Sequence, residues 1–200
     1  QPWLSRRLRW SDDCFMVAGR NLSAYLYGPL TRDGVSAALL TALLDQASKL
    51  WLLHVYDLGS RGRVQLLPFF DLVRLHNTGA AFSFLANASG WQNWFFTGVA
   101  LLVSGLILWW FFRQPPERIV VPLGLVLVLG GAIGNLIDRI QHGYVVDFFL
   151  FYYERWSFPA FNVADSAITA GVMLLLVDGF FLEGRRPPDA GDRVTASNGT

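Results

Sequence analysis

The sequence predicts an all-α membrane protein: four transmembrane helices with a small β-rich, amphipathic extracytoplasmic subdomain in the first outer loop. Three observations carry that expectation. Apolar residues make up 53% of the 200 and charged residues 16%, against roughly 25% charged in an ordinary globular chain. Mean hydropathy is positive, at +0.36. Four windows reach the ~20 mostly apolar residues that a bilayer core asks of a helix, at about 35–56, 94–112, 119–140 and 162–182. Such a composition excludes a disordered chain and a coiled coil, and a net charge of +1 gives no electrostatic reason for a nucleic-acid partner. The single cysteine, Cys14, excludes an intrachain disulfide framework and zinc sites built on cysteine pairs.

In chain order, residues 1–33 read as a cytoplasmic amino-terminal extension, a basic anchor holding five arginines. Residues 34–183 hold the four helices, and 184–200, polar and rich in small residues, read as a disordered cytoplasmic tail. No cleavable signal peptide is expected, because the first apolar stretch is too long and lacks a small-residue cleavage site. Helix two closes on LILWWFF, aromatic residues suited to a headgroup interface. Ten basic residues fall on the side of the termini and of the loop between helices two and three, against four on the other. Both termini are therefore expected in the cytoplasm, with loops 57–93 and 141–161 outside. The first of these mixes short apolar runs with Pro68, Asn77 and Gly79, reading as short strands with a turn at Asn77-Thr78-Gly79 and resting on the bilayer surface.

Ionisable groups inside membrane segments cost about 2.5–3.5 kcal/mol each even on insertion scales, so each needs a reason. Helix one carries Asp45, Gln46 and Lys49. The acid precedes the cation at i,i+4, the favourable order. A structural ion pair and a direct role at a site are both open for that pair. On helix three, Gly130 and Gly134 have the small-xxx-small spacing of close helix packing. Asn135, Asp138 and Arg139 share one face that must point into the bundle. Asp147 follows just beyond that helix. Asn162 and Asp165 open helix four.

Since helix three runs outward and helix four inward, Asp147 and Asp165 are expected at similar depth near the outer face. Two carboxylates so placed can share a proton, because repulsion and partial burial raise one pKa. One then activates water against an amide carbonyl while the other supplies a proton. From spacing alone, helix-capping acids remain open as the other reading. No H-E-x-x-H or G-x-S-x-G occurs, His54, His76 and His142 lack ligand spacing, and Ser48 and Lys49 point different ways on a helix. No metal and no cofactor are expected.

Five blocks then carry a family resemblance: DQASK at 45–49, RLHNTGAAFSF at 74–84, GNLIDR at 134–139, VVDFF at 145–149 and FNVADS at 161–166. In this order, on four apolar helices, the chain resembles the lipoprotein signal peptidases, the bacterial signal peptidase II family of membrane aspartyl proteases. The resemblance implies an endopeptidase of the bacterial inner membrane that cleaves diacylglyceryl-modified prolipoproteins just before the lipidated cysteine. It implies Asp147 and Asp165 as the catalytic dyad. Asn77, Gly79, Asn135, Arg139 and Asn162 would be substrate-contacting or dyad-orienting, and Asp45, Lys49 and Asp138 supporting. The expected partners are the prolipoprotein substrate and membrane lipids, with the chain a monomer. Residues 1–33 lie outside the family's motifs. The alternative is a transporter or proton relay using buried acids, although helix two carries no ionisable residue between Trp94 and Phe112.

Overall fold

The computed structural model describes residues 29–79, 91–114 and 119–182. The expectations for the bulk of the amino-terminal extension (1–28) and for the tail (184–200) lie outside those residues. Helix α1 runs Pro29–Leu50 and continues into one π-helical turn, Trp51–Val55. Proline suits the first helical position because its missing N–H would be unpaired there anyway. The helix thus begins ahead of the apolar window, which cannot register the polar Thr31-Arg32-Asp33. A short helix α2 (Leu58–Arg61) leads into strands β1 (Val64–Leu67) and β2 (Phe70–Asn77). Helices α3 (Trp91–Phe111) and α4 (Val120–His142) follow. Strands β3 (Val145–Tyr153) and β4 (Trp156–Ser157) come next. Helix α5 (Val163–Val177) ends in a second π-helical turn, Asp178–Leu182.

Among the described residues, three helical stretches are long and apolar enough to cross a membrane: Trp91–Phe111, Val120–His142 and Val163–Leu182. Helix α1 has the length, at 22 residues, but its interior polar residues keep it out of that group. Helix α4 is the hub. In its most apolar stretch 61% of residues are buried inside the protein, against 11% for each of the other two, whose Trp94, Leu102 and Phe180 stand exposed where lipid would surround them. Ala38 of α1, Ile107 and Phe111 of α3, and Val121, Leu125 and Leu129 of α4 form the core of the bundle. Close approach depends on the glycines of α4. A Cβ on Gly130 would stand 2.6 Å from Ala38 O, and one on Gly134 would stand 2.7 Å from Asp45 Oδ2. The small-xxx-small pair therefore forms the α1–α4 crossing.

The sheet corrects the expected fold. Among the described residues it has four antiparallel strands in the order β1-β2-β3-β4, so it is not confined to the first outer loop. Half of it comes from the connection between α4 and α5. Asp147, expected in a linker just beyond a helix, lies within β3. The reasons are local. Gly143 ends α4 in the left-handed conformation at φ 78°, which costs glycine no Cβ clash. Apart from Asp147 and Leu150, the VVDFFLFYY run after it is β-branched and aromatic, and such residues fit a pleated, half-buried surface. A second core of Leu52, Leu58, Leu72 and Phe148 lies under this sheet.

Candidate active site

Asp147 is 2% exposed and is held from two sides. Asn77 at the end of β2 donates from Nδ2 to Asp147 Oδ2 at 3.0 Å. Asn162 donates from Nδ2 to Asp147 Oδ1 at 2.8 Å. The same Asn162 is the N-cap of α5: its Oδ1 accepts the amide of Asp165 at 2.9 Å, and Asp165 Oδ2 accepts the amide of Asn162 at 3.3 Å, closing a capping box. Asn135 of α4 donates to Asp165 Oδ1 at 2.7 Å, and its own Oδ1 accepts from Asn162 at 3.1 Å. Three asparagines thus link the two carboxylates in one network, with Asn162 fully buried between them.

Asn77 reaches Asp147 because of a bulge. Leu72 pairs with Phe149, and Leu75 pairs with Asp147. Three steps along β2 therefore match two along β3. Side chains alternate between faces of a strand, and the extra residue puts Asn77 on the face of Asp147 rather than the opposite one. Beyond it, Asn77 Oδ1 accepts the amide of Gly79 at 2.9 Å, and Gly79 has φ +96°, the turn chemistry expected of Asn-x-Gly.

Burial pushes the Asp147 carboxyl up to about 7, and the charge of Asp165 adds to the rise. The hydrogen bond from Asn77, the charge of Lys49 and the hydrogen bond from Asn162 oppose it. The Asp147 carboxyl therefore titrates near neutrality rather than in the usual carboxylate range. Asp165 is partly open, where an incoming water can meet it.

The remaining sequence-predicted residues divide into two places. Arg139 flanks the network: it donates to Asn135 O at 3.4 Å, lies 5.8 Å over the Phe96 ring, and its backbone carbonyl accepts from Asn93 at 3.3 Å. Among the described residues it makes no ion pair. Asp45, Lys49 and Asp138 form a separate buried cluster, with Lys49 Nζ 2.6 Å from Asp45 and 2.9 Å from Asp138. Asn135 and Asp138, expected on one face, thus serve different clusters. Sequence reasoning gave no role to Gln46, which donates to Asp138 Oδ1 at 2.8 Å, or to Asn93 and Phe96 beside Arg139. An uncharged amide inside a membrane helix was the available signal for Gln46. Among the described residues no three His, Cys, Asp or Glu side chains are grouped as metal ligands would be.

The model of the family "Signal peptidase (SPase) II" matches residues 37–181, which contain both acids and all three asparagines. The chain belongs to the signal peptidase II family. The lipoprotein signal peptidase of Acinetobacter baumannii is 52% identical over 153 residues, covering 76% of this chain and 86% of that protein. That of Shewanella woodyi is 53% identical over 140 residues, covering 70% and 78%. A solved bacterial membrane enzyme is similar in fold, with a TM-score of 0.64, 26% identity, and 75% of this chain and 94% of that one covered. As a signal peptidase II family member the chain is a bacterial membrane protease, and the transporter or proton-relay alternative is not favoured.

Proposed function

We propose that the chain removes signal peptides from diacylglyceryl-modified prolipoproteins by aspartyl catalysis, cutting before the lipidated cysteine with Asp147 and Asp165. The observation that carries the reading is Asn162, which touches both carboxylates at once. A residue that only capped a helix would have no need of the second acid. Asp165, ionised, takes a proton from a water as its oxygen attacks the scissile carbonyl carbon. Asp147 gives its proton to the carbonyl oxygen. The tetrahedral intermediate then collapses: its oxygen returns a proton to Asp147, the leaving nitrogen takes the proton held by Asp165, and the C–N bond breaks. Asn77 and Asn135 keep the acids in place, and Arg139 holds a substrate carbonyl.

The site stands at the outer membrane face, where a lipid-anchored substrate with one helix arrives. All four helices, α1 included, cross the bilayer, with both termini cytoplasmic as the basic residues dictate. The sheet rests on the bilayer surface, a reading supported by the exposure of Leu66, Leu67, Phe69, Phe151 and Trp156. It covers the acyl chains and limits water at the dyad. The enzyme acts as a monomer and needs only water.

The test is cleavage of a purified diacylglyceryl-modified prolipoprotein in detergent, beside its unlipidated form, by the wild type and by Asp147→Asn. Cleavage of the lipidated form alone, lost in the variant, is expected. Cleavage surviving in Asp147→Asn removes the dyad, and a folded wild type that cuts neither form removes the function.

A further inference from the structure

Each candidate catalytic acid is preceded by a residue whose backbone amide is gripped by a second, buried acid. Val146, just before Asp147, donates its N–H to Asp138 Oδ2 at 2.9 Å. Ala164, just before Asp165, donates its N–H to Asp45 Oδ1 at 2.9 Å. Lys49 joins the two gripping acids, at 2.6 Å and 2.9 Å. Gln46 joins them again through one amide nitrogen, 2.8 Å from Asp138 Oδ1 and 3.3 Å from Asp45 Oδ2, with Gly134 O at 3.1 Å. All four carboxylate oxygens are thereby satisfied. Asp45, Asp138 and Lys49 are at most 3% exposed.

We propose that Gln46, Lys49, Asp45 and Asp138 form a positioning clamp, which fixes β3 and the first turn of α5 against each other through the amides of Val146 and Ala164 and so sets the spacing of the two acids. The inference rests on the aspartyl-protease reading of Asp147 and Asp165. Helix packing alone does not account for the arrangement. A buried ion cluster of this kind is often replaceable by apolar residues at no loss of stability, and a cluster kept only for packing has no reason to hold the same amide position before both acids. A mutual shift of 1 Å between reacting groups is enough to cost on the order of a hundredfold in rate. The clamp removes that freedom at two peptide groups, each next to one of the acids.

Lys49 has a second effect. The charged groups about Asp147 are Asp165 from α5, Lys49 from α1, and Asp138 and Arg139 from α4, with His76 next to Asn77 on β2. Lys49 favours the ionised form of Asp147. Removing its charge raises the pKa of Asp147, so activity persists to higher pH.

Gln46→Met keeps the length of the side chain and removes both bridging donors. The measurement is kcat and KM on a diacylglyceryl-modified prolipoprotein in detergent, beside the wild type and Asp147→Asn, with thermal unfolding of each. The clamp predicts a kcat at least tenfold lower, a KM within about twofold of wild type, and a Tm showing the variant folded at the assay temperature. In a second pair, Lys49→Met moves the alkaline limb of the pH profile to higher pH and Lys49→Arg returns it. A wild type that does not cleave removes the underlying reading. A cleaving wild type with Gln46→Met folded and unchanged in kcat removes the clamp, as does a rise in KM with kcat intact.

Discussion

Asn77 donates to Asp147 across 70 residues of chain, at 3.0 Å, from a position diagonal to it in the sheet register. The bond exists only because β2 carries one more residue than β3 between Leu72 and Leu75. Its chemical effect is to favour the ionised carboxylate, against the burial that disfavours it. Asn77→Ala therefore raises the pKa of Asp147 and carries the alkaline limb of the activity profile to higher pH, while kcat at neutrality falls about tenfold through loss of alignment. A pH–rate series on the lipidated substrate checks both.

Asp147 also links pH to stability. Its folded value, about 7, lies above the ordinary carboxylate value of 3.8. The folded state therefore holds a proton that the unfolded state has released, and this contribution to stability is complete below about pH 4 and lost as pH rises to about 7. Its ceiling is about 4 kcal/mol, from roughly three pKa units. Asp147→Asn has no such titration. The fall in Tm between pH 5 and pH 8 is expected to be smaller in the variant than in the wild type, measured by thermal scans in one detergent.

Two duties of Asn162 can be separated. Serine caps helices about as well as asparagine, but its short hydroxyl cannot cap α5 and bridge to Asp147 as well. Asn162→Ser should leave Tm within a few degrees of wild type and reduce kcat by about a hundredfold, since the bridge between the acids is gone. Asn162→Ala should add a loss of ~1 kcal/mol from the missing cap. Paired unfolding and cleavage assays distinguish the two.

Gly134 stands where α1, α4 and α5 meet. A methyl group there would press on Asp45 Oδ2 at 2.7 Å and on the Ala164 Cβ at 3.3 Å. Gly134→Ala is expected to cost about 1–3 kcal/mol, as overpacking does, and to lower kcat because the displaced atoms lie beside Asp165. At Gly98, where an added Cβ meets nothing within 4 Å, alanine should leave both Tm and activity near wild type.

Much of this arrangement was legible in the sequence because a membrane makes polar residues conspicuous. Asp45, Lys49, Asn135, Asp138 and Arg139 stood out against apolar helices, and helix spacing turned the shared face of Asn135, Asp138 and Arg139 inward, where Asn135 and Asp138 are buried and Arg139 is half-buried. The glycines of α4 were readable for a related reason, since helices approach closely only over small residues. What stayed hidden was decided by pairing between distant segments. The bulge in β2 has no local signature, because it is defined by β3. The VVDFF run reads from the sequence as connection beyond a helix, since a short apolar stretch next to a helix end gives no clear period. Asn135 and Asp138 lie on one side of α4 but face different neighbours, which helical spacing cannot resolve.

The sheet order has a consequence for how the molecule is made. Strands β2 and β3 are hydrogen-bonded neighbours, yet α3 and α4 lie between them in the chain. The β1–β2 hairpin must wait through the synthesis of two membrane helices with one edge unpaired, and such distant pairings form late. Helix α5, with Asp165 in its first turn, is made after all four strands. The two carboxylates thus meet only at the final stage of assembly. In the proposed dyad, Asp147 therefore has no partner acid until the last helix is in place.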